Sequence, residues 1–368
     1  MHIHGGDIYT YQGMLDFSAN INPLGIPASV VKAAARGAEQ AASYPDTQCR
    51  DLRRALAVQE SIGLAQPVQP EEIICGNGAA DLIFALTLAQ KPRQALLPAP
   101  GFHEYEQALR AIGCHIQYHY LTAQNGFQLD VQRLTAEITP ETELLFLCNP
   151  NNPTGLAISR QELQPLLKRC QQCQTLLVLD ECFNEFLDDP AAYTLKPLLA
   201  ANPNLFLLKA FTKLYAMPGL RLGYGLCANS VLLNRLAEVS QPWRVSTPAQ
   251  LAGLAALQEQ AYVRQAQELI RHERQFLQQQ LSALGMQVYN SMANYIFFKT
   301  PADWSATFNL AAACREQQIL IRDCSNYVGL TPGFYRIAVR TRPENEQLLR
   351  AMQQIVLTQE QQGDKCNE

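Results

Sequence analysis

Leu176-Leu177-Val178-Leu179-Asp180-Glu181 sets four apolar residues in a row ahead of two carboxylates. A run without polar alternation predicts a short strand covered on both faces, as in the centre of a parallel sheet. Working outward from it, 73–75, 94–98, 116–121, 144–148, 205–208 and 223–227 also read as strands. Between them 79–89, 102–112 and 159–173 read as helices. The last opens with Ser159 and, three residues on, Glu162, the capping-box spacing. Strands that alternate with helices imply βαβ units, so the expectation is an α/β fold on a mostly parallel sheet.

Around 242–248 the pattern changes. A Gln-rich helical stretch is expected from about 249 to 284, with its glutamines on the wet face. Strands then recur at 286–289, 295–299, 319–322 and 335–339, with helices between them. This reads as a second, smaller α+β domain. The chain has 368 residues, a length that suits two or three domains at roughly 100–200 residues each. The polar end, 359–368, is expected to fray. No internal repeat is visible.

Composition narrows the function. Apolar residues make up 48 %, enough for a full core. With 29 basic and 33 acidic residues the formal charge is −4, which argues against a nucleic-acid partner. An anionic ligand must then be met by a few local positive groups. No apolar run reaches the roughly 18 residues of a membrane span. The start, Met1-His2-Ile3-His4-Gly5-Gly6-Asp7, is neither basic nor apolar and does not resemble a secretory signal. The expected compartment is the cytoplasm. Eleven scattered cysteines are odd in number and often sit inside apolar runs, unlike a disulfide framework. Cys170 and Cys173 form one CxxC without a second pair, so both are read as helix residues and no metal site is expected.

Four stretches carry chemistry. In Phe211-Thr212-Lys213-Leu214-Tyr215-Ala216-Met217-Pro218-Gly219-Leu220-Arg221-Leu222-Gly223-Tyr224 a lysine leaves an apolar strand and an arginine follows between two glycines. A lysine shielded at a strand end loses solvation and its pKa falls, as a Schiff-base lysine requires. Arg221 can approach a phosphate closely and grip it with two donors. Lys209 is the rival lysine, but it lies inside the apolar run. Asp180 closes a buried strand at the carboxyl edge of the sheet, where ligands bind. A buried carboxylate needs a partner, and a protonated ring nitrogen would serve. Asn149-Pro150-Asn151-Asn152-Pro153-Thr154-Gly155 is a tight loop whose asparagines can bind a ligand oxygen. Gly76-Asn77-Gly78-Ala79-Ala80-Asp81 is a strand, a glycine turn and a helix start, a place for one phosphate. Asp81 stands where a dinucleotide fingerprint would want a third glycine. Together these groups suit an aromatic aldehyde phosphate.

In these motifs and their order the chain resembles fold-type I pyridoxal-phosphate enzymes over essentially its whole length. It is most similar to the threonine-phosphate decarboxylases and histidinol-phosphate aminotransferases. The resemblance implies the aspartate-aminotransferase-like fold, a large domain with a seven-stranded sheet plus a smaller α+β domain. The implied division is an N-terminal arm over 1–28 that joins the small domain, a large cofactor-binding domain over 29–247, and a C-terminal small domain over 248–368. It implies pyridoxal 5'-phosphate as cofactor, with Lys213 as its Schiff-base lysine. Asp180 would pair with the ring nitrogen and Asn152 would contact the ring hydroxyl. Gly78, Ala79, Thr212 and Arg221 would hold the phosphate, and Phe102 would stack on the ring. Tyr44 resembles a tyrosine that reaches into a neighbouring subunit's site, which implies a homodimer. Arg336 would bind the substrate carboxylate and Arg322 its phosphate.

One position departs from the aminotransferase pattern. Those enzymes often carry a tyrosine three residues after the ring aspartate; here it is Phe183, so the ring oxygen loses a donor. Other stretches resemble the decarboxylases. They are His4-Gly5-Gly6, whose histidine would meet substrate phosphate, residues 16–25, in which Asn20 is counted as substrate-binding, residues 322–327 and residues 338–341. The implied reaction converts the small phosphorylated amino acid L-threonine O-3-phosphate into (R)-1-aminopropan-2-yl phosphate, a building block of cobalamin's nucleotide loop. The outcome depends on which Cα bond stands perpendicular to the ring: the carboxylate for decarboxylation, the hydrogen for transamination. A histidinol-phosphate-type aminotransferase is therefore the alternative. Two further classes are weaker. A nicotinamide oxidoreductase rests on Gly76-Asn77-Gly78 alone, and a catalytically dead sensor need not keep Lys213 with Arg221.

Overall fold

The computed structural model describes residues 4–302, 304–305 and 307–366; His2 lies outside these. After β1 (Leu15–Asp16), seven strands follow: β2 (Ile73–Gly76), β3 (Gln94–Ala99), β4 (His115–Tyr120), β5 (Leu144–Cys148), β6 (Leu176–Asp180), β7 (Leu205–Ala210) and β8 (Gly223–Leu226). They form one sheet in the order β2-β8-β7-β6-β5-β3-β4. All neighbours run parallel except β8, which is antiparallel to β2 and β7.

Every residue of β5 and β6 is buried. Successive side chains go to opposite faces, as the pleat requires. Leu177 and Leu179 join the core on one face, with Leu163 and Leu166 of helix Arg160–Cys173. Leu176 and Val178 join the other, with Leu82 and Leu86 of helix Ala79–Gln90. A sheet covered on both faces explains why its strands read as unbroken apolar runs. Ser159 caps helix Arg160–Cys173 through the expected reciprocal bonds with Glu162. Cys170 and Cys173 lie on this helix, buried in the core.

A second group of strands comprises β9 (Gln287–Val288), β10 (Tyr295–Lys299), β11 (Ile319–Leu320), β12 (Arg322–Asp323) and β13 (Phe334–Ala338). Four of them form an antiparallel sheet in the order β12-β13-β10-β9, while β11 pairs in parallel with β1.

Three expectations are corrected. The strand expected over 319–322 divides at Ile321 into β11 and β12, which join different sheets. The single helix expected over 249–284 is two, Thr247–Ala256 and Gln260–Ala283. The halves bury different faces. The Ala-rich first half, capped by Ser246, lies against helix Ala28–Glu39 so closely that a Cβ on Gly37 would sit 2.5 Å from Pro248 Cα. The second half turns Ile270, Leu277 and Leu281 into the core. Most of its glutamines are exposed, but Gln267 and Gln278 donate to the carbonyls of Glu185 and Ser291. Of the tail expected to fray, the described part, 359–366, continues helix Arg342–Cys366. Leu348, Met352 and Ile355 anchor it in the core, and Gln359-Glu360-Gln361-Gln362 extend it with good helix formers. Among the described residues no helix is long and apolar enough to cross a membrane.

Candidate active site

The parallel strands of the large sheet deliver their carboxyl ends to one edge, and β8 begins there because it runs the other way. Gly223 at its start pairs with Gly76 at the end of β2 and Ala210 at the end of β7. This brings Arg221, two residues earlier, beside Gly78, Asp180 and Lys213, which are distant in sequence. At this edge lies a cavity of about 300 Å³.

Asp180 ends β6 and is 4 % exposed. Its Oδ2 accepts from the Tyr105 hydroxyl at 2.6 Å and its Oδ1 from the Cys182 N–H at 2.9 Å. Burial pushes its pKa up, against these donors and the attraction of Lys213. No cation lies within ion-pair distance of it among the described residues.

Lys213 sits on the short helix Phe211–Leu214 directly after β7. Its amine is 5.8 Å from the centroid of the Phe183 ring. Burial, then Arg336, then Arg221 lower it to about 8. The carbonyl of Lys213 accepts from the Asn22 N–H at 3.1 Å, tying the loop to the start of the chain. Lys209, four residues earlier, is engaged elsewhere. Its ammonium lies 3.2 Å from Glu60 and 3.3 Å from Glu185.

Gly78 precedes helix Ala79–Gln90 with φ +84°, and no side chain caps that end. A Cβ on Gly78 would fall 2.5 Å from Arg221 Nη2. The close approach of guanidinium and backbone, with Ala79 and Thr212 lining the same cavity, makes a cradle for an anion at a helix N-terminus.

The second sheet closes the cavity from the other side. Arg336 on β13 pairs in register with Arg322 on β12. Arg336 donates to Asn152 Oδ1 and, at 2.9 Å, to the Ser18 carbonyl, while its buried Nε has no partner among the described residues. Arg322 donates to Asn326 Oδ1 at 2.8 Å and lies over the Tyr327 ring. Asn20 is buried, its Oδ1 likewise without a partner among the described residues. Phe102 and His4 line the same cavity.

The structure therefore brings together Lys213, Asp180, Arg221, Asn152, Thr212, Ala79, Phe102, Asn20, Arg322, Arg336 and His4, with Gly78 behind Arg221. Tyr44 is not among them. It is 79 % exposed and stacks on Trp243, with ring centroids 4.4 Å apart. Sequence reasoning gave no role to Tyr105 or Glu104, which also line the cavity. The only sequence signal is proximity: both follow Phe102 within three residues, and the Tyr105 ring meets the Phe102 ring edge-on at 5.4 Å. Among the described residues no cluster of His, Cys, Asp or Glu could hold a metal ion.

Known proteins share this architecture. The crystal structure of a histidinol-phosphate aminotransferase from Clostridium acetobutylicum superposes with a TM-score of 0.85 at 27 % identity, over 94 % of this chain and 100 % of that one. The threonine-phosphate decarboxylase of Salmonella typhimurium is 38 % identical, over 96 % of each chain. The histidinol-phosphate aminotransferase of Moorella thermoacetica is 30 % identical, over 93 % of this chain and 86 % of that one. The family profile of class I and II aminotransferases matches residues 12–355. By sequence profile and by fold, the chain belongs to the class I and II aminotransferase family.

Proposed function

We propose that this chain is a pyridoxal-phosphate-dependent decarboxylase of L-threonine O-3-phosphate, working as a cytoplasmic homodimer in cobalamin biosynthesis. The observation that carries it is the pairing of Arg322 with Arg336 across β12 and β13, both lining the cavity that contains Lys213. Two guanidinium groups suit a substrate with two anionic ends, a carboxylate and a phosphate. The greater identity to the decarboxylase from Salmonella than to the aminotransferase from Moorella supports the choice of reaction. The N-terminal arm over 1–28 belongs with the small domain in this reading, supported by the pairing of β1 with β11.

The cavity fits the cofactor. Asp180 is a buried carboxylate with two donors but no cation, which suits a protonated ring nitrogen. Gly78, Ala79, Thr212 and Arg221 suit its phosphate. Lys213, lowered to about 8, is neutral in a useful fraction near neutral pH and can attack an aldehyde. Asn152 suits the ring hydroxyl, and Phe102 would cover a ring face and exclude water.

When bound, the cofactor's protonated ring draws electrons from the substrate Cα and weakens whichever bond stands perpendicular to it. The protein selects that bond. Arg336, anchored by Asn152 and Ser18, holds the carboxylate, and Arg322 with His4 holds the phosphate. The Lys213 amine, in the same cavity, or a water would supply the proton to the substrate Cα. Tyr44, exposed in its own chain and stacked on Trp243, would complete a partner's site.

The test is carbon dioxide release from L-threonine O-3-phosphate by the purified, cofactor-loaded protein without added oxo-acid. Release with many turnovers is expected. Stoichiometric conversion to the pyridoxamine form with an amino donor, and no carbon dioxide, would establish the aminotransferase instead.

A further inference from the structure

The reading above leaves Glu104, which lines the cavity, without a task. Glu104 lies in the first turn of helix His103–Ala111, two residues after Phe102. Its side chain is 17 % exposed, and its Oε1 lies 3.6 Å from His4 Nδ1. Its Oε2 is buried and has no hydrogen-bond partner among the described residues. The charged and titratable groups facing it are His4 of the arm, Arg322 of β12, Tyr327, Lys213 and Asp180. Burial, then Asp180, pushes the carboxyl up to about 6, while Lys213 and Arg322 pull it down. Glu104 is therefore mostly an anion at neutral pH.

His4 is its natural partner. Burial and then Arg322 disfavour the imidazolium, so the free imidazole is neutral and carries one N–H. Nδ1 faces Glu104, and the carboxylate draws that N–H to itself. Nε2, across the ring, is left as a bare lone pair. A phosphate dianion arriving there meets repulsion. One proton from solvent on Nε2 converts the lone pair into a donor, and the Glu104 carboxylate supplies the counter-charge to the imidazolium.

We propose that Glu104 is a positioning residue that makes His4 a cationic phosphate ligand, so that substrate phosphate binds together with one solvent proton, which ends on His4 Nε2. This rests on the reading that His4 and Arg322 receive the substrate phosphate. It gives the site a preference for a phosphorylated substrate over the bare hydroxy amino acid beyond what Arg322 provides.

The test uses the cofactor-loaded protein and two amines that have no carboxylate to lose, (R)-1-aminopropan-2-yl phosphate and 1-aminopropan-2-ol. Calorimetric titration at pH 8, in buffers of different ionisation enthalpy, counts the protons taken up. At that pH the phosphate, with a second pKa of about 6, is already a dianion. The phosphorylated amine is expected to draw up to one proton more than the alcohol. In Glu104→Gln that excess is lost and the phosphorylated amine binds about tenfold more weakly, the alcohol unchanged. If Glu104→Gln keeps the wild-type affinity and proton count while His4→Gln weakens binding, the role of Glu104 is refuted and His4 remains a phosphate ligand. If neither His4→Gln nor Arg322→Gln changes the preference for the phosphorylated amine, the phosphate assignment fails and the proposal with it. The visible absorbance of the bound cofactor verifies that each variant is folded and loaded.

Discussion

The Tyr105 hydroxyl donates to Asp180 Oδ2 across 2.6 Å, joining the first turn of helix His103–Ala111 to the end of β6. Both residues are almost fully buried. The bond favours the ionised form of a carboxylate whose burial works against ionisation.

Tyr105→Phe removes that donor and leaves the ring space filled. Asp180 then becomes harder to ionise. A hydrogen bond to a charged group contributes about 1.5–3 kcal/mol, so cofactor affinity is expected to fall by roughly 10–100-fold. Fluorescence titration of the apo protein with pyridoxal phosphate checks this. Unchanged affinity would mean that Asp180 does not depend on Tyr105.

Arg336→Met should change the titration of Lys213 as well as substrate binding. Burial and, next, the Arg336 charge hold the amine at about 8. With that charge gone the amine rises toward its ordinary value. A lowered amine is neutral at lower pH, so raising it moves the onset of covalent cofactor loading to higher pH. Stopped-flow absorbance of apo protein mixed with pyridoxal phosphate, from pH 6.5 to 9.5, should show slower loading at pH 7.5 in the variant. Identical pH profiles would separate Arg336 from Lys213.

Glu60 tests the scaffold behind the site. It is 3 % exposed and receives Lys196 at 2.9 Å, Lys209 at 3.2 Å and the Tyr224 hydroxyl at 2.5 Å. Burial opposes its ionisation, yet Lys209 and Lys196 overcome this and hold it at about 2. A carboxyl whose folded pKa lies below its unfolded one adds stability above the ordinary carboxylate range. That stability is lost as pH falls toward 2. Glu60→Gln leaves buried Lys209 without its main counter-charge and should cost about 3–5 kcal/mol at pH 7. Urea unfolding should show that gap narrowing between pH 5 and pH 3. A gap independent of pH would assign the loss to packing alone.

Much of this architecture is legible in the chain. The doubly covered sheet can be read because a strand buried on both faces, such as Leu176-Leu177-Val178-Leu179, has no room for polar alternation. The Schiff-base lysine candidate can be read because Lys213 follows an apolar strand and precedes a Gly-flanked arginine. What is hidden depends on contacts between distant segments. The break at 257–259 follows from which surface each half of the helix covers, and both halves have helical composition. The Tyr105 to Asp180 bond joins a helix start to a strand end 75 residues away, and Glu104 gains its setting only when the arm brings His4 against it. The partner of Lys209 is hidden too, since the Glu60 that neutralises it is remote in sequence.

The central claim is that the Lys213 amine bonds the cofactor's aldehyde at the strand-end cavity. Borohydride reduction of the protein loaded with pyridoxal phosphate, followed by proteolysis and peptide mass mapping, tests it most directly. The reduced cofactor is expected on the peptide bearing Lys213, with Lys213→Ala giving neither label nor visible band. A label on Lys209, or none on any lysine of the cavity, would contradict the account.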